Sequence, residues 1–221
     1  MDGVRLLLPE LGLSALALTL MAFDLFFDSR RGKVLMGLGF IAAGVGLGSL
    51  GLAYNIPETY QGLGTLWAVD PLALFFKALV LTATVFALML SIDYKPADDI
   101  RHPGTFAALV LFSAVGQMLL VSATDLLLVF LSLELVSISS FILVGYERRD
   151  LKSSEGAIKY FLFGAFSSAI FVYGISLMYG ALGSTSLVDI APMMDRVVSL
   201  AFLVGCLLLA VGFGFKVSMA P

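Results

Sequence analysis

Glu134 lies near the middle of Asp125–Val144, an otherwise apolar stretch about as long as a membrane is thick. A charged side chain at the bilayer centre costs roughly 2.5–3.5 kcal/mol or more, so such a residue usually has a partner or a water path. An acid at that depth can exchange protons with a nearby ammonium group, which favours the carboxylate form when close and the protonated form when it moves away. The sequence therefore predicts a proton-relay acid. A paired or protonated acid that serves only packing is the alternative.

Other polar side chains lie in the predicted spans around this acid. Ser137 follows one turn along the same helix face, where it could hydrogen-bond the acid, and Gln117 lies deep in the preceding span. Lys77 lies on the outer side of the third span, and Lys159 lies near the inner surface in the sixth. Both lysines could extend their ammonium groups to the membrane surface while their stems stay in lipid. We expect Gln117, Ser137 and Lys77 to form a secondary polar lining of the Glu134 site.

Lys216 follows a long apolar run within the segment GFGFKVSMAP. Hydropathy alone places it near the inner interface, but Gly212, Gly214 and Pro221 weaken a helix. A helix that breaks here would keep Lys216 at mid-depth. Because discontinuous helices at membrane depth usually line a cavity or a binding site, Lys216 is a candidate partner of Glu134.

The composition is that of a polytopic membrane protein. Of the 221 residues, 60% are hydrophobic and 13% are charged, and the mean hydropathy is +1.02. The net charge of -3, without a long basic block, argues against a nucleic-acid partner and leaves the lipid bilayer as the expected surroundings. Cys206 is the single cysteine and His102 the single histidine, so no cluster is suited to a metal, haem or iron–sulfur centre.

Seven apolar runs reach roughly the 17–25 residues that a spanning helix needs. Lipid leaves no partner for open backbone groups, so these runs predict an all-α membrane fold of about seven transmembrane helices. The first run is too long for a signal peptide and ends in a basic cluster, which is typical of a retained span. The runs lie at about 6–27, 34–53, 71–92, 105–122, 125–144, 156–180 and 197–221.

The distribution of lysine and arginine predicts the orientation of the spans. The loops after the first, third and fifth spans carry eight of these residues, whereas the alternate loops and the N-terminal tail carry two. By the positive-inside rule, the N-terminus lies outside. Glu10 and Asp24, near the two ends of the first span, are interpreted as interfacial. The eight inner residues are Arg30, Arg31, Lys33, Lys95, Arg101, Arg148, Arg149 and Lys152.

One long segment of the chain resembles a known family. The sequence LELVSISSFILVGYERRDLKSSEGAIKYFLFGAFSSAIFVYGISLMYGALGST is similar to subunit N of bacterial respiratory NADH–quinone oxidoreductase, complex I, and the similarity runs from about Asp125 to Thr185. The mitochondrial counterpart is NADH dehydrogenase subunit 2. The segments VDPLALFFKAL at 69–79 and GFGFKVSMAP at 212–221 fit the same family more weakly.

The resemblance implies an antiporter-like fold, with N-terminal helices followed by two inverted five-helix repeats that each contain a broken helix. Residues 1–104 would form a three-helix N-terminal region, and 105–221 would form part of the first repeat, truncated in its broken helix. Glu134 matches the family's fifth-helix glutamate, Lys216 its broken-helix lysine and Lys159 its sixth-helix lysine. Together these residues imply a proton relay. Because family members continue further, we expect this chain to be an N-terminal fragment.

The function implied by the resemblance is that of a proton-translocating membrane-arm subunit in a multi-pass bacterial inner-membrane complex. Its partners would be other membrane-arm subunits of complex I, and the chain would be part of a translocase enzyme. It would bind no cofactor itself, because NADH, FMN, iron–sulfur clusters and quinone would be used in other subunits. One alternative is a subunit of a cation/proton antiporter or of a membrane-bound hydrogenase. The other is a scaffold subunit that moves no protons.

Overall fold

The computed structural model describes residues 7–26, 32–53, 60–62, 66–92, 102–147, 149–194 and 199–219. Helices dominate these ranges, with a two-stranded antiparallel hairpin before the third long helix. The helices are α1 (Leu8–Phe26), α2 (Gly32–Ala53), α3 (Pro71–Ile92), α4 (Pro103–Ser122), α5 (Leu126–Val144), α6 (Leu151–Leu182), α7 (Leu187–Ile190) and α8 (Leu200–Lys216). The strands are β1 (Tyr60–Gly62) and β2 (Trp67–Val69), and the 3-10 turn Ala191–Met193 follows α7.

Each of the seven predicted spans corresponds to one long helix, so the all-α membrane fold is confirmed. The helices α1, α3, α4, α5 and α6 are long and apolar enough to cross a membrane, and α2 and α8 contribute the shorter apolar stretches Met36–Leu50 and Leu200–Lys216. The helix α6 is longer than predicted, with 32 residues. Asp150 caps its first turn by accepting from the Lys152 N–H, and the left-handed Gly183 ends it.

The predicted orientation rests on loops of which little is described. Arg30, Arg31, Lys95, Arg101 and Arg148 lie outside the described residues. The outside location of the N-terminus therefore stays a prediction.

The turn between α4 and α5 is as short as the sequence indicates. Asp125 caps α5, because its Oδ1 accepts from the Leu127 N–H at 2.8 Å, and its Oδ2 accepts from the Thr185 hydroxyl at 2.7 Å. Further along the two helices, a Cβ on Gly116 would lie 2.8 Å from Val136 Cγ2, so α4 and α5 approach closely at this level. Because the turn is so short, the two helices form an antiparallel pair, and this packing fixes the depth of the middle of α5.

The buried apolar side chains form two clusters. The first joins α1, α2, α3 and α4, and the second joins α5, α6, α8 and Ile190 at the end of α7. The helix α4 also packs along α5, so it lies between the two clusters. The proposed division of the chain at 104/105 stays a prediction.

Two acids of α1 are buried against neighbouring helices. Asp24 is 5% exposed, and its carboxylate accepts from the backbone N–H of Gly104 and from both the N–H and the hydroxyl of Thr105. It therefore satisfies backbone donors that the first turn of α4 leaves without intrahelical partners. Glu10 is also buried, in a salt bridge with Lys77. Both acids therefore have partners inside the bundle, and their interfacial position stays a prediction.

Glycines set the distance between α6 and α8. A Cβ on Gly174 would lie 3.0 Å from the Gly205 carbonyl oxygen, and a Cβ on Gly205 would lie 3.1 Å from the Gly174 oxygen. Nearer the end of α8, a Cβ on Gly212 would lie 2.7 Å from Phe171 Cβ. Small residues allow such close backbone approach in lipid. The end of α8 is thereby held against the middle of α6.

Candidate functional site

The structure brings Glu134 and Lys216 together. Lys216 Nζ lies 3.7 Å from Glu134 Oε1, with 14% and 26% of the two side chains exposed. Glu134 lies near the middle of the 19-residue α5, and Lys216 is the last residue of α8. The contact therefore places the end of α8 at the mid-depth of α5, so both charges lie far from either end of that helix.

The way in which α8 ends differs from the prediction. The helix runs without interruption through Gly212 and Gly214 and ends at Lys216, so it ends within the segment where a break was predicted, but after these two glycines. The end is a Schellman motif, in which Met219 N–H donates to the Gly214 oxygen and Ser218 N–H to the Phe215 oxygen. Ser218 takes the left-handed position at φ 55, which usually favours glycine. Pro221 lies outside the described residues.

Two serine hydroxyls complete the immediate surroundings of the pair. Lys216 Nζ donates to Ser137 Oγ at 2.5 Å and lies 3.4 Å from Ser168 Oγ, while Ser168 Oγ donates to Glu134 Oε1. Ser137 donates its own proton to the Leu133 carbonyl oxygen at 2.6 Å. The expected hydrogen bond between Ser137 and Glu134 is therefore wrong, since Ser137 contacts the lysine instead of the acid.

Ser168 is the site residue that sequence reasoning missed. It lies near the middle of α6, next to Ser167, whose hydroxyl donates to the Gly212 oxygen at 3.1 Å. The sequence carries a weak signal, because two adjacent hydroxyls lie near the middle of a largely apolar span. Only the packing of α6 between α5 and α8 shows which of the two reaches the acid.

The structure does not bring Lys159 or Gln117 to the pair. Lys159 forms a salt bridge with Glu155 one turn earlier in α6, and both side chains are about two-thirds exposed, at 67% and 64%. It lies nine residues from Ser168, which is about two and a half helical turns and therefore the opposite face of α6. The Gln117 amide donates to Ser113 Oγ at 3.3 Å on its own helix.

Lys77 belongs to a different buried pair. Its Nζ lies 2.6 Å from Glu10 Oε1, and the two side chains are 1% and 3% exposed. The ammonium also lies 6.0 Å from the centre of the Trp67 ring, within the range of a cation–π contact. The snorkelling interpretation is wrong because the ammonium is enclosed between α1 and α3. These contacts do not support the predicted role of Lys77 in the lining of the Glu134 site.

The arrangement of Glu134, Lys216, Ser137 and Ser168 combines one acid, one amine and two hydroxyls. These groups can bind and exchange protons, and they include no redox-active side chain. Within the described residues, no group of three or more His, Cys, Asp or Glu side chains is placed to hold a metal ion. The chemistry that this site can perform is therefore proton transfer between nearby donors and acceptors.

Comparison with known proteins relates this site to a family. Residues 123–221, which contain the whole site, match the model of the NADH:quinone oxidoreductase/Mrp antiporter transmembrane family. Residues 123–221 are therefore similar to antiporter-like membrane subunits. Over 99% of its length, the chain is also similar to proteins named subunit N of NADH-quinone oxidoreductase.

Individual relatives support this similarity over nearly the whole chain. A subunit N of Chloroherpeton thalassium is 36% identical, with 99% of this chain and 43% of that protein covered. Subunit 2 of an NAD(P)H-quinone oxidoreductase from Synechococcus elongatus is 35% identical, with 97% and 41% covered. The chain spans less than half of the length of these relatives.

Solved structures share the fold. Respiratory complex I from Thermus thermophilus, solved with bound aureothin, contains a chain with a TM-score of 0.75 and 28% identity, over 96% of this chain and 44% of that one. The archaeal membrane-bound sulfane sulfur reductase contains one with a TM-score of 0.69 and 20% identity, over 91% and 44%. The second likeness shows the fold alone.

Proposed function

We propose that this chain is part of a membrane-arm subunit of a proton-pumping NADH:quinone oxidoreductase, and that protons pass through Glu134 and Lys216. The observation that carries the proposal is the Glu134–Lys216 pair at mid-depth, 3.7 Å apart, between helices α5 and α8. The names of the relatives support the assignment to complex I. The partners would be other membrane-arm subunits in a bacterial inner membrane. NADH, FMN, iron–sulfur clusters and quinone would be used in those other parts of the assembly.

The pair is suited to reversible proton transfer. An ammonium group beside Glu134 favours the carboxylate, and withdrawal of that ammonium favours the protonated acid. Lys216 carries its charge on a flexible four-carbon stem at the end of a helix, where the backbone turns at Ser218. A small displacement of the α8 end would change the coupling of the pair. Redox chemistry elsewhere in the assembly would drive that displacement electrostatically.

Lys159 enters the proposal through the family resemblance, as a relay between the Glu134–Lys216 pair and the inner side. The contacts of Lys159 give the relay role less support than those of Glu134 and Lys216, because Lys159 pairs with Glu155 on the exposed face of α6. Transfer between Lys159 and Lys216 would therefore need a further carrier or a rearrangement of the lysine side chains.

The test is Glu134→Gln in the complete complex, reconstituted in sealed vesicles, with NADH oxidation and proton uptake measured together. We expect fewer protons pumped per NADH, with the complex still assembled, because glutamine has a similar shape but cannot take up a proton at this position. Asp189→Asn is the matched control, since it makes the same change at an exposed acid of α7. A normal proton-to-NADH ratio in Glu134→Gln would refute the proposal.

A second candidate function is transport in a cation/proton antiporter or in a membrane-bound hydrogenase. The observation that favours it is the matching family model, whose description includes the Mrp antiporter. Proton movement that depends on sodium and not on NADH would select this function. A scaffold role would be selected if neutral variants at Glu134 and Lys216 left pumping unchanged but reduced assembly.

A further inference from the structure

We infer that Ser168 carries the proton between Lys216 and Glu134, and that Ser137 holds Lys216 in place without taking part in the transfer. The inference rests on the proposed function and deepens it, because it assigns different tasks to two serines that the lysine contacts. The four side chains concerned are Glu134 and Ser137 of α5, Ser168 of α6 and Lys216 of α8.

The distances favour an indirect route over a direct one. Lys216 Nζ and Glu134 Oε1 are 3.7 Å apart, which is longer than the 2.7–3.2 Å typical of an N–H···O hydrogen bond. Ser168 Oγ lies between them in the hydrogen-bond network, since it donates to Glu134 Oε1 and lies 3.4 Å from Lys216 Nζ. A slight approach of the ammonium to Ser168 would complete a continuous chain of hydrogen bonds from lysine to acid.

The transfer balances without any other reactant. An N–H bond of the Lys216 ammonium breaks, and its proton forms a new O–H bond on Ser168 Oγ. The original O–H bond of Ser168 breaks at the same time, and that proton binds Glu134 Oε1. The products are a neutral amine with its lone pair on Nζ, a neutral carboxylic acid and an unchanged serine. The reverse sequence of steps restores the ion pair.

Ser137 cannot relay in the same way, although it is closer to the lysine. Its hydroxyl proton is donated to the Leu133 carbonyl oxygen of the same helix, at 2.6 Å. A proton passed on along that bond would have to bind a peptide oxygen, which is a very weak base. Ser137 therefore acts only as an acceptor for the Lys216 ammonium, at 2.5 Å. That bond positions the ammonium beside Ser168 and Glu134.

Burial makes the Ser168 hydroxyl difficult to replace. Ser168 is 8% exposed, between α5 and α8, so its side chain is almost fully enclosed by protein. Alanine at this position would therefore remove the bridging group without supplying a substitute.

The test compares serine variants in the complete complex, in sealed vesicles, with protons pumped per NADH as the main readout and complex content as the second. Ser168→Ala removes the carrier, while Ser168→Thr and Ser168→Cys keep a side-chain proton that can be transferred. Ser137→Ala removes the anchor. Ser140→Ala is the matched control, because Ser140 also donates to a carbonyl of its own helix, that of Val136.

We expect Ser168→Ala to lose proton pumping as strongly as Glu134→Gln does, with recovery in Ser168→Thr or Ser168→Cys. The loss in Ser137→Ala should be smaller, and Ser140→Ala should pump normally. Full pumping in Ser168→Ala would overturn the relay, and so would equal losses in the alanine, threonine and cysteine variants of Ser168. If Glu134→Gln were still defective in that case, the proposed function would stand without the relay. Normal pumping in Glu134→Gln would remove the basis of both.

Discussion

Breaking the buried pair of Glu10 and Lys77 should destabilise the protein far more than breaking the exposed pair of Glu155 and Lys159, although both pairs join the same two side-chain types. We predict that Lys77→Met strongly destabilises the protein and that Lys159→Met barely does. Methionine keeps most of the length of the lysine stem and removes the charge. The comparison of Lys77→Met with Lys159→Met therefore shows how burial of the ion pair changes the effect of the same substitution on stability.

The magnitude follows from distance and burial. At 2.6 Å and an effective dielectric constant of about 20, two unit charges attract by about 6 kcal/mol, and this attraction offsets much of the cost of removing both from water. Loss of one partner leaves the other charge buried, which costs about 3–5 kcal/mol. Within the described residues, the Glu10 side chain has no partner besides Lys77 that could compensate. For Glu155 and Lys159, more than 60% exposed and one turn apart, the expected loss is about 0.3–0.5 kcal/mol.

The assay is thermal denaturation of the purified complex in detergent, followed through this subunit and through the NADH-oxidising activity of the assembly. Lys77→Met should lower the transition temperature by several degrees or prevent assembly, whereas Lys159→Met should leave the transition almost unchanged. The double variant Glu10→Gln with Lys77→Met should recover part of the loss, because no unpaired charge remains. Equal shifts for Lys77→Met and Lys159→Met, or a double variant less stable than Lys77→Met alone, would refute the reasoning.

Two further predictions concern α6 and α8. Gly212→Ala should destabilise the helix pair by about 1–3 kcal/mol and reduce pumping, because the new Cβ would lie 2.7 Å from Phe171 Cβ and push the Lys216 end of α8 outward. Gly180→Ala, where nothing lies within 4 Å of the new Cβ, is its control in thermal denaturation and proton-pumping assays and should be neutral or slightly stabilising. Lys159→Gln should lower the number of protons pumped per NADH less than Glu134→Gln does. An equal loss would show that Lys159 is essential to the route despite its exposed position.

The sequence predicted which residues carry charge at depth better than it predicted their contacts. The short turn before Asp125 and the central position of Glu134 could both be read from the order of apolar and polar residues. The structure has the short turn, and it places Glu134 near the middle of α5. Ser168 and the salt bridge between Glu10 and Lys77 could not be read in this way. They depend on how each helix is rotated about its own axis.

Lipid removes the signal that would have fixed those rotations. In a soluble protein, an apolar stripe on one helix face shows which side packs inward. A membrane helix is apolar on all sides, because lipid tails are as apolar as the protein core, and its packing depends on small residues and shape. The close approach at Gly212 is an example, since a glycine in a sequence does not show which neighbour it faces. The sequence therefore showed Gly212 only as a residue that weakens a helix, whereas the structure shows it as a contact point.

The two buried acid–lysine pairs of this chain differ in separation and access, and these differences are related to their expected roles. Glu10 and Lys77 lie 2.6 Å apart and are almost fully enclosed, so withdrawal of either charge would leave the other unpaired in an apolar interior. Glu134 and Lys216 lie 3.7 Å apart, are partly exposed, and have the Ser168 hydroxyl between them. Their contact can loosen at a lower cost, because hydroxyls and accessible space remain to stabilise each charge. The first arrangement suits a permanent structural contact, and the second suits a contact that must form and break with each proton transferred.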